Sequence, residues 1–144
     1  MPKVFFSWQS DHPSSLCKRL IRSALDSAAK NLNSTVSEAD RTEIVSDTQG
    51  IAGSPDIFNA ICDQIDQCDV FVADLTMVAE IKQGDKRKVL PNPNVSIEYG
   101  YALKSKSRQR IVAVMNEAYF EPKIEELPFN LRHARGPCRY KAAH

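Results

Sequence analysis

The chain has 144 residues, with 19 basic and 18 acidic side chains and a formal charge of +1. That length suits one domain with a core large enough to need no staples. The balanced charge gives no general reason to expect nucleic acid or an anionic membrane as partner. No apolar run reaches the roughly 20 residues of a membrane span. The N-terminus turns polar too soon for a signal peptide, so the expected location is cytoplasmic. Cys17, Cys62, Cys68 and Cys138 form no CxxC pair, and His12, His133 and His144 lack metal-ligand spacing. Reduced thiols and no metal are the expectation.

Residues 3–8 are a short apolar run that reads as a buried strand. From Ser14 to about residue 32, Leu16, Leu20, Ile21, Leu25, Ala28 and Leu32 recur at helical spacing. A polar loop and a weaker strand at 42–47 follow, then a loop carrying Gly50 and Gly53. Ser54, Pro55 and Asp56 open a second helix, as N-cap, first-turn proline and acid at the positive dipole end. Ile57, Ile61, Ile65 and Cys68 lie on one face of that helix. The clearest strand is 70–75. Residues 76–90 read as a long connection whose second half, 82–88, is charged and mobile; such a connection is more often functional than idle.

A third helix begins after Asn92, a good N-cap, with Pro93 at its first position, and ends near Ser105. Its oddity is Glu98, whose neighbours at i−3, i+3 and i+4 are Val95, Tyr101 and Ala102, within or beside the apolar stripe. An inward carboxylate costs free energy unless it is hydrogen-bonded, paired or at the floor of a wet cleft. A strand at 110–115, an irregular stretch, a short helix near 127–133 and a final strand at 137–140 complete the chain.

Strands alternate with helices, and most strands are apolar on both faces. The predicted fold is therefore α/β: a single flavodoxin-like, doubly wound domain with five parallel strands in order 2-1-3-4-5 and helices on both faces. In such sheets ligands bind beyond the carboxyl ends of the strands. Those ends carry Ser7, Trp8 and Gln9, then Asp47, then Asp74 and Thr76, and Asn116, with Glu98 on the same edge. Each has a plainer reading as well: Ser7 as a cap, Trp8 as packing over the sheet's end, Asp47 and Asp74 as turn acids. There is no GxGxxG and no GxxxxGK[ST].

Several stretches carry a family resemblance. They are Phe5-Phe6-Ser7-Trp8-Gln9-Ser10-Asp11, Gly53-Ser54-Pro55-Asp56-Ile57-Phe58, residues 69–75, the run Pro91-Asn92-Pro93-Asn94-Val95-Ser96-Ile97-Glu98-Tyr99-Gly100-Tyr101-Ala102-Leu103, and 127–133. Together they resemble bacterial TIR-like domains, within the wider group that includes the nucleoside 2-deoxyribosyltransferases. The pattern covers nearly the whole chain and departs from its commonest form at Tyr99. The resemblance implies Glu98 as catalytic residue and Ser7 in a nucleotide cleft. It also implies cleavage of the nicotinamide–ribose bond of NAD, as substrate and not cofactor, by an antiphage-defence effector that self-associates when an adjoining sensor drives it.

The predicted substrate-binding set is Phe6, Ser7, Trp8, Gln9, Asp47, Asp74, Thr76 and Asn94, with Trp8 as a stacking surface. The rival expectations are glycosyl hydrolysis or transfer on nucleosides or nucleotides by the same glutamate, and a non-catalytic assembly module. A phospho-receiver using Asp74 is rejected, because the acids such a domain needs after its first strand are replaced by Ser7, Trp8 and Gln9.

Overall fold

The computed structural model describes residues 1–46, 56–132 and 136–144. The chain builds β1 (Lys3–Ser7), α1 (Lys18–Asn33), β2 (Glu43–Val45), α2 (Ile57–Gln67) and β3 (Val70–Asp74). It continues through β4 (Met77–Gln83), β5 (Lys86–Pro91), α3 (Pro93–Ser105), β6 (Ile111–Asn116), α4 (Phe129–Arg132) and β7 (Cys138–Tyr140). The main sheet has five strands in the order β2-β1-β3-β6-β7, every neighbouring pair parallel. This is the predicted doubly wound order, and β4 with β5 adds a separate two-stranded sheet.

Strand parity assigns the two faces of the sheet. Phe6 and Val72 point to one side, where they pack with Ile21 and Leu25 of α1. Phe5, Phe71, Ala73 and Leu75 point to the other, against Ile65 of α2 and Val95 and Ala102 of α3. Phe6 and Phe71 are both almost wholly removed from solvent, and each such side chain contributes roughly 2 kcal/mol by transfer from water.

Local chemistry fixes the ends of α2 and α3. Asn92 Oδ1 accepts hydrogen bonds from the backbone N–H of Asn94 and Val95 at 2.8 and 3.1 Å, with Pro93 in the first turn as expected. The cap of α2 is Asp56, accepting from Phe58 and Asn59, where the sequence had suggested Ser54; Ser54 and Pro55 lie outside the described residues. The first helix starts at Lys18, after a tight 3-10 turn at Ser14–Leu16. Asp66 of α2 then ties the two helices together, accepting from Tyr101 Oη at 2.7 Å and Ser105 Oγ at 2.6 Å on α3.

The connection expected to be a charged, mobile loop is instead an antiparallel hairpin. Gln83 pairs with Lys86, leaving the two-residue turn Gly84-Asp85. Gly84 has φ +62°, which a residue with a side chain resists, and glycine in the first position suits the tight turn that matches strand twist. Arg87 fastens the hairpin to the body. Its guanidinium donates to both carboxylate oxygens of Glu126, at 2.8 and 2.9 Å, and to the Phe120 carbonyl at 2.7 Å. Phe120 and Glu121 both hold positive φ, a strained turn for side chains of this size. The Arg87 bond and the packing of Phe120 against the cluster of Met77, Val89, Met115 and Leu127 keep that turn in place.

All four cysteines are free thiols, Cys17, Cys62 and Cys68 buried and Cys138 exposed. Among the described residues no helix is long and apolar enough to cross a membrane.

Candidate functional site

A cleft of about 380 Å³ opens at the carboxyl end of β1. Glu98 is brought to it by α3, on the same face as the fully buried Val95 and Ala102 three residues before and four after. The carboxylate is half-buried, and Ser7 Oγ donates to its Oε2 at 3.0 Å. Burial pushes the Glu98 carboxyl above its ordinary range, and the Ser7 hydroxyl, which favours the charged form, pulls it part of the way back. Among the described residues that line the cleft, Glu98 is the only ionisable one.

Phe6, Ser7, Trp8 and Asn94 of the predicted set also line this cleft. Trp8 is a fixed wall. Its Nε1 donates to the Ser46 carbonyl at 2.8 Å, and the Lys18 ammonium sits 3.4 Å from the centre of its ring. One ring face is thus engaged by a cation, which limits stacking of a base to the remaining surface.

Gln9, Asp74 and Thr76 are placed differently, in a buried network of their own. Gln9 Nε2 donates to Asp74 Oδ2 at 3.0 Å, and the Thr76 backbone N–H and hydroxyl both donate to Asp74 Oδ1. Thr76 Oγ1 accepts in turn from the Asn116 N–H at 2.9 Å, and Gln9 Oε1 accepts from the N–H groups of Asp11 and His12. The Asn116 side chain binds the Leu16 carbonyl and both the carbonyl and the N–H of Ala142. All four residues are buried, and none lines the Glu98 cleft. Burial raises the Asp74 carboxyl, opposed by the donors from Thr76 and Gln9. The convergence expected on one rim therefore resolves into two sites. The physical reason is parity: Ser7 is in register with Ala73, so Asp74 emerges on the opposite face. Asp47, and the loop with Gly50 and Gly53, lie outside the described residues.

Sequence reasoning missed Ser46, Ile57, Phe58, Ile61 and Ile97, which also line the cleft. Of the α2 face that carries Ile57, Ile61 and Ile65, Ile61 packs against the core, whereas Ile57 is 60% exposed at the cleft, with Phe58 44% and Ile97 55%. The signal available was position: α2 and α3 both begin at the carboxyl edge of the sheet, so apolar residues near their starts, such as Ile57, Phe58 and Ile97, can border the cleft while Val95 faces the core. Tyr99 lines a separate groove with Leu103, Ile111 and Cys138.

No family model matches the chain, and no curated protein matches it. Among solved structures, the chain is similar to a 2-desoxiribosyltransferase from Leishmania mexicana, with a TM-score of 0.43 and 19% sequence identity. The match covers 81% of this chain and 65% of that one, so the chain spans about two thirds of that protein's length.

Proposed function

We propose that this chain is a TIR-like NAD glycohydrolase that uses Glu98 to cleave the nicotinamide–ribose bond. The observation that carries this is a single half-buried carboxylate, held by one hydroxyl, in a cleft whose described lining offers no second acid. Hydrolysis of an ordinary glycoside needs two carboxyl groups, one of them to protonate the leaving oxygen. A pyridinium leaving group is already cationic. When the C1′–N bond breaks, its electron pair neutralises the ring nitrogen, and nicotinamide departs without a proton.

The work left for the protein is to stabilise positive charge on the ribose, or to capture C1′ as an ester. Glu98 is suited to both. Water then adds to C1′, giving ADP-ribose and releasing one proton. The Ser7 hydroxyl orients the carboxylate and favours its charged form, and Asn94 offers a polar group to the ribose. In the same reading the site is completed by self-association, supported by the exposed apolar side chains Ile57, Phe58 and Ile97 at the cleft.

The second reading is glycosyl transfer or hydrolysis on nucleosides, for which the same glutamate serves but a leaving base without charge must be protonated. Incubation of concentrated protein with NAD, and separately with a panel of deoxynucleosides, distinguishes them by product. Nicotinamide release supports the first reading; free base from a deoxynucleoside with no nicotinamide supports the second; neither product at any protein concentration leaves an assembly module.

A further inference from the structure

Glu98 reaches the cleft only through α3, so the site depends on how that helix is seated. Two hydrogen bonds join α3 to the chain that leaves β1. One is the Ser7 hydroxyl on Glu98 Oε2 at 3.0 Å. The other lies at the helix start, where Asn92 Nδ2 donates to Asp11 Oδ2 at 2.7 Å. One short segment of chain thus holds both the start of α3 and its carboxylate.

The segment that carries Asp11 is itself fixed. Gln9 Oε1 accepts from the backbone N–H of Asp11 at 2.7 Å and of His12 at 3.2 Å. His12 Nε2 donates to the Met77 carbonyl at 2.7 Å, and its ring stacks on Tyr119 with centroids 3.6 Å apart. A carboxylate set on such a frame can only accept. It therefore dictates which way the Asn92 amide faces: Nδ2 toward Asp11, leaving Oδ1 for the N–H groups of Asn94 and Val95. The first turn of α3 carries no acid of its own, so Asp11 also supplies the negative charge favoured at the positive end of the helix. As an exposed surface bond this contact adds little to global stability. Its consequence is local, in where α3 begins.

We infer that Asp11 is a positioning residue: it holds the Asn92 amide, and with it the start of α3, so that Glu98 stays within hydrogen-bond reach of Ser7. The inference rests on the proposed reading for what Glu98 does, and not for whether Asp11 seats it. Glu98 has a single hydrogen-bond donor among the described residues, so a small shift of α3 is enough to cost it that bond.

The test is titration of the Glu98 carboxyl by carbon-13 NMR on the full chain, assigned with Glu98→Gln, alongside NAD turnover. Among the described residues, Ser7 of β1 and Cys62 of α2 are the groups that bear on Glu98. Burial pushes the Cys62 thiol up, so it stays neutral while carboxylates titrate. In folded Asp11→Ala the Glu98 carboxyl should titrate higher than in the wild type, because the Ser7 bond that favours its charged form is weakened. Simple loss of a negative charge would move it down, so the direction separates geometry from charge. Asn92→Thr keeps a capping oxygen but is too short to reach Asp11, and should reproduce the rise. Asp11→Asn still accepts from Asn92 and should restore most of the wild-type behaviour. In a Ser7→Ala background, loss of Asp11 should add nothing. NAD turnover should fall about tenfold in Asp11→Ala, in kcat more than in KM, as for a misplaced reacting group. An unchanged or lowered Glu98 titration in Asp11→Ala and Asn92→Thr, or an undiminished rise on top of Ser7→Ala, overturns the inference. The glycohydrolase reading fails separately, if the titrations behave as stated and the wild type never cleaves NAD.

Discussion

Two carboxylates stand at the carboxyl edge of the same sheet, and burial raises both above their ordinary range. Asp74 is fully buried and receives donors from Gln9 and Thr76, in a network that also fastens Asn116 and the residues after β7. Glu98 is half-buried, receives one donor from Ser7 and faces a cleft of about 380 Å³. A carboxylate whose oxygens are saturated by the protein has little left to offer a ligand. One with spare acceptor capacity and an open face retains its reactivity, at a cost in stability. Perturbation of the acid alone does not separate a structural carboxylate from a candidate functional one; the count of donors and the presence of open space do.

The comparison is broken most directly by exchanging the consequences of substitution. Glu98→Gln is expected to lower NAD turnover by about a thousandfold, the scale of losing the main electrostatic group at a reacting centre, with the fold intact. The same change relieves a buried charge, so its melting temperature should rise at neutral pH. Asp74→Ala should do the reverse. It orphans the Gln9 amide and the two Thr76 donors and should destabilise by roughly 3 kcal/mol in chemical denaturation, with turnover per folded molecule retained. A variant at Asp74 that folds normally and is inactive would mean that the two sites have been assigned the wrong way round.

A pH profile sharpens the same contrast. In the proposed reaction Glu98 acts ionised, so the acid limb of kcat/KM should lie above the ordinary carboxylate range. Ser7→Ala removes the bond that favours the charged form and should move that limb further up. The effect on stability has the opposite direction. A carboxyl raised in the folded state contributes stability that is fully present below its unfolded value and lost as pH rises through the folded one.

Glu126 gives the counter-case, since Arg87 holds its carboxyl down to about 2. Its contribution is present above the ordinary carboxylate value and lost as pH falls from there toward 2. Glu126→Gln should therefore lower the melting temperature at pH 7 and lose its effect near pH 2, read by thermal scans across that range. The smallest effect is expected at Gly100. It lies inside α3 two residues past Glu98, and an added Cβ would meet nothing within 4 Å. Gly100→Ala should then stabilise by about 0.5–1 kcal/mol, measured by urea denaturation.

Much of this arrangement was legible from local patterns. The alternation of apolar strands with amphipathic helices carried the sheet order, and Asn92 with Pro93 carried the start of α3, because those signals depend on neighbours within a few residues. Glu98 stood out for the same reason, as a carboxylate three residues from Val95 and four from Ala102. The hairpin was hidden by charge: Lys82, Lys86 and Lys88 read as a solvated loop, although Gly84-Asp85 between two runs is a tight-turn signal. The separation of Asp74 from Ser7 was not legible, because it depends on the register of two strands more than sixty residues apart. The contact of Lys18 with Trp8 was equally hidden, since the two belong to different elements and only the packing of α1 on the sheet brings them together.

The central claim is that Glu98 is the one carboxylate the reaction needs. It is tested most directly by nicotinamide release from NAD at high protein concentration, wild type against Glu98→Gln, each normalised to folded protein. The account predicts release by the wild type and near-complete loss in the variant with its fold retained. Equal release by both, or none from the wild type under any assembling condition, would contradict it.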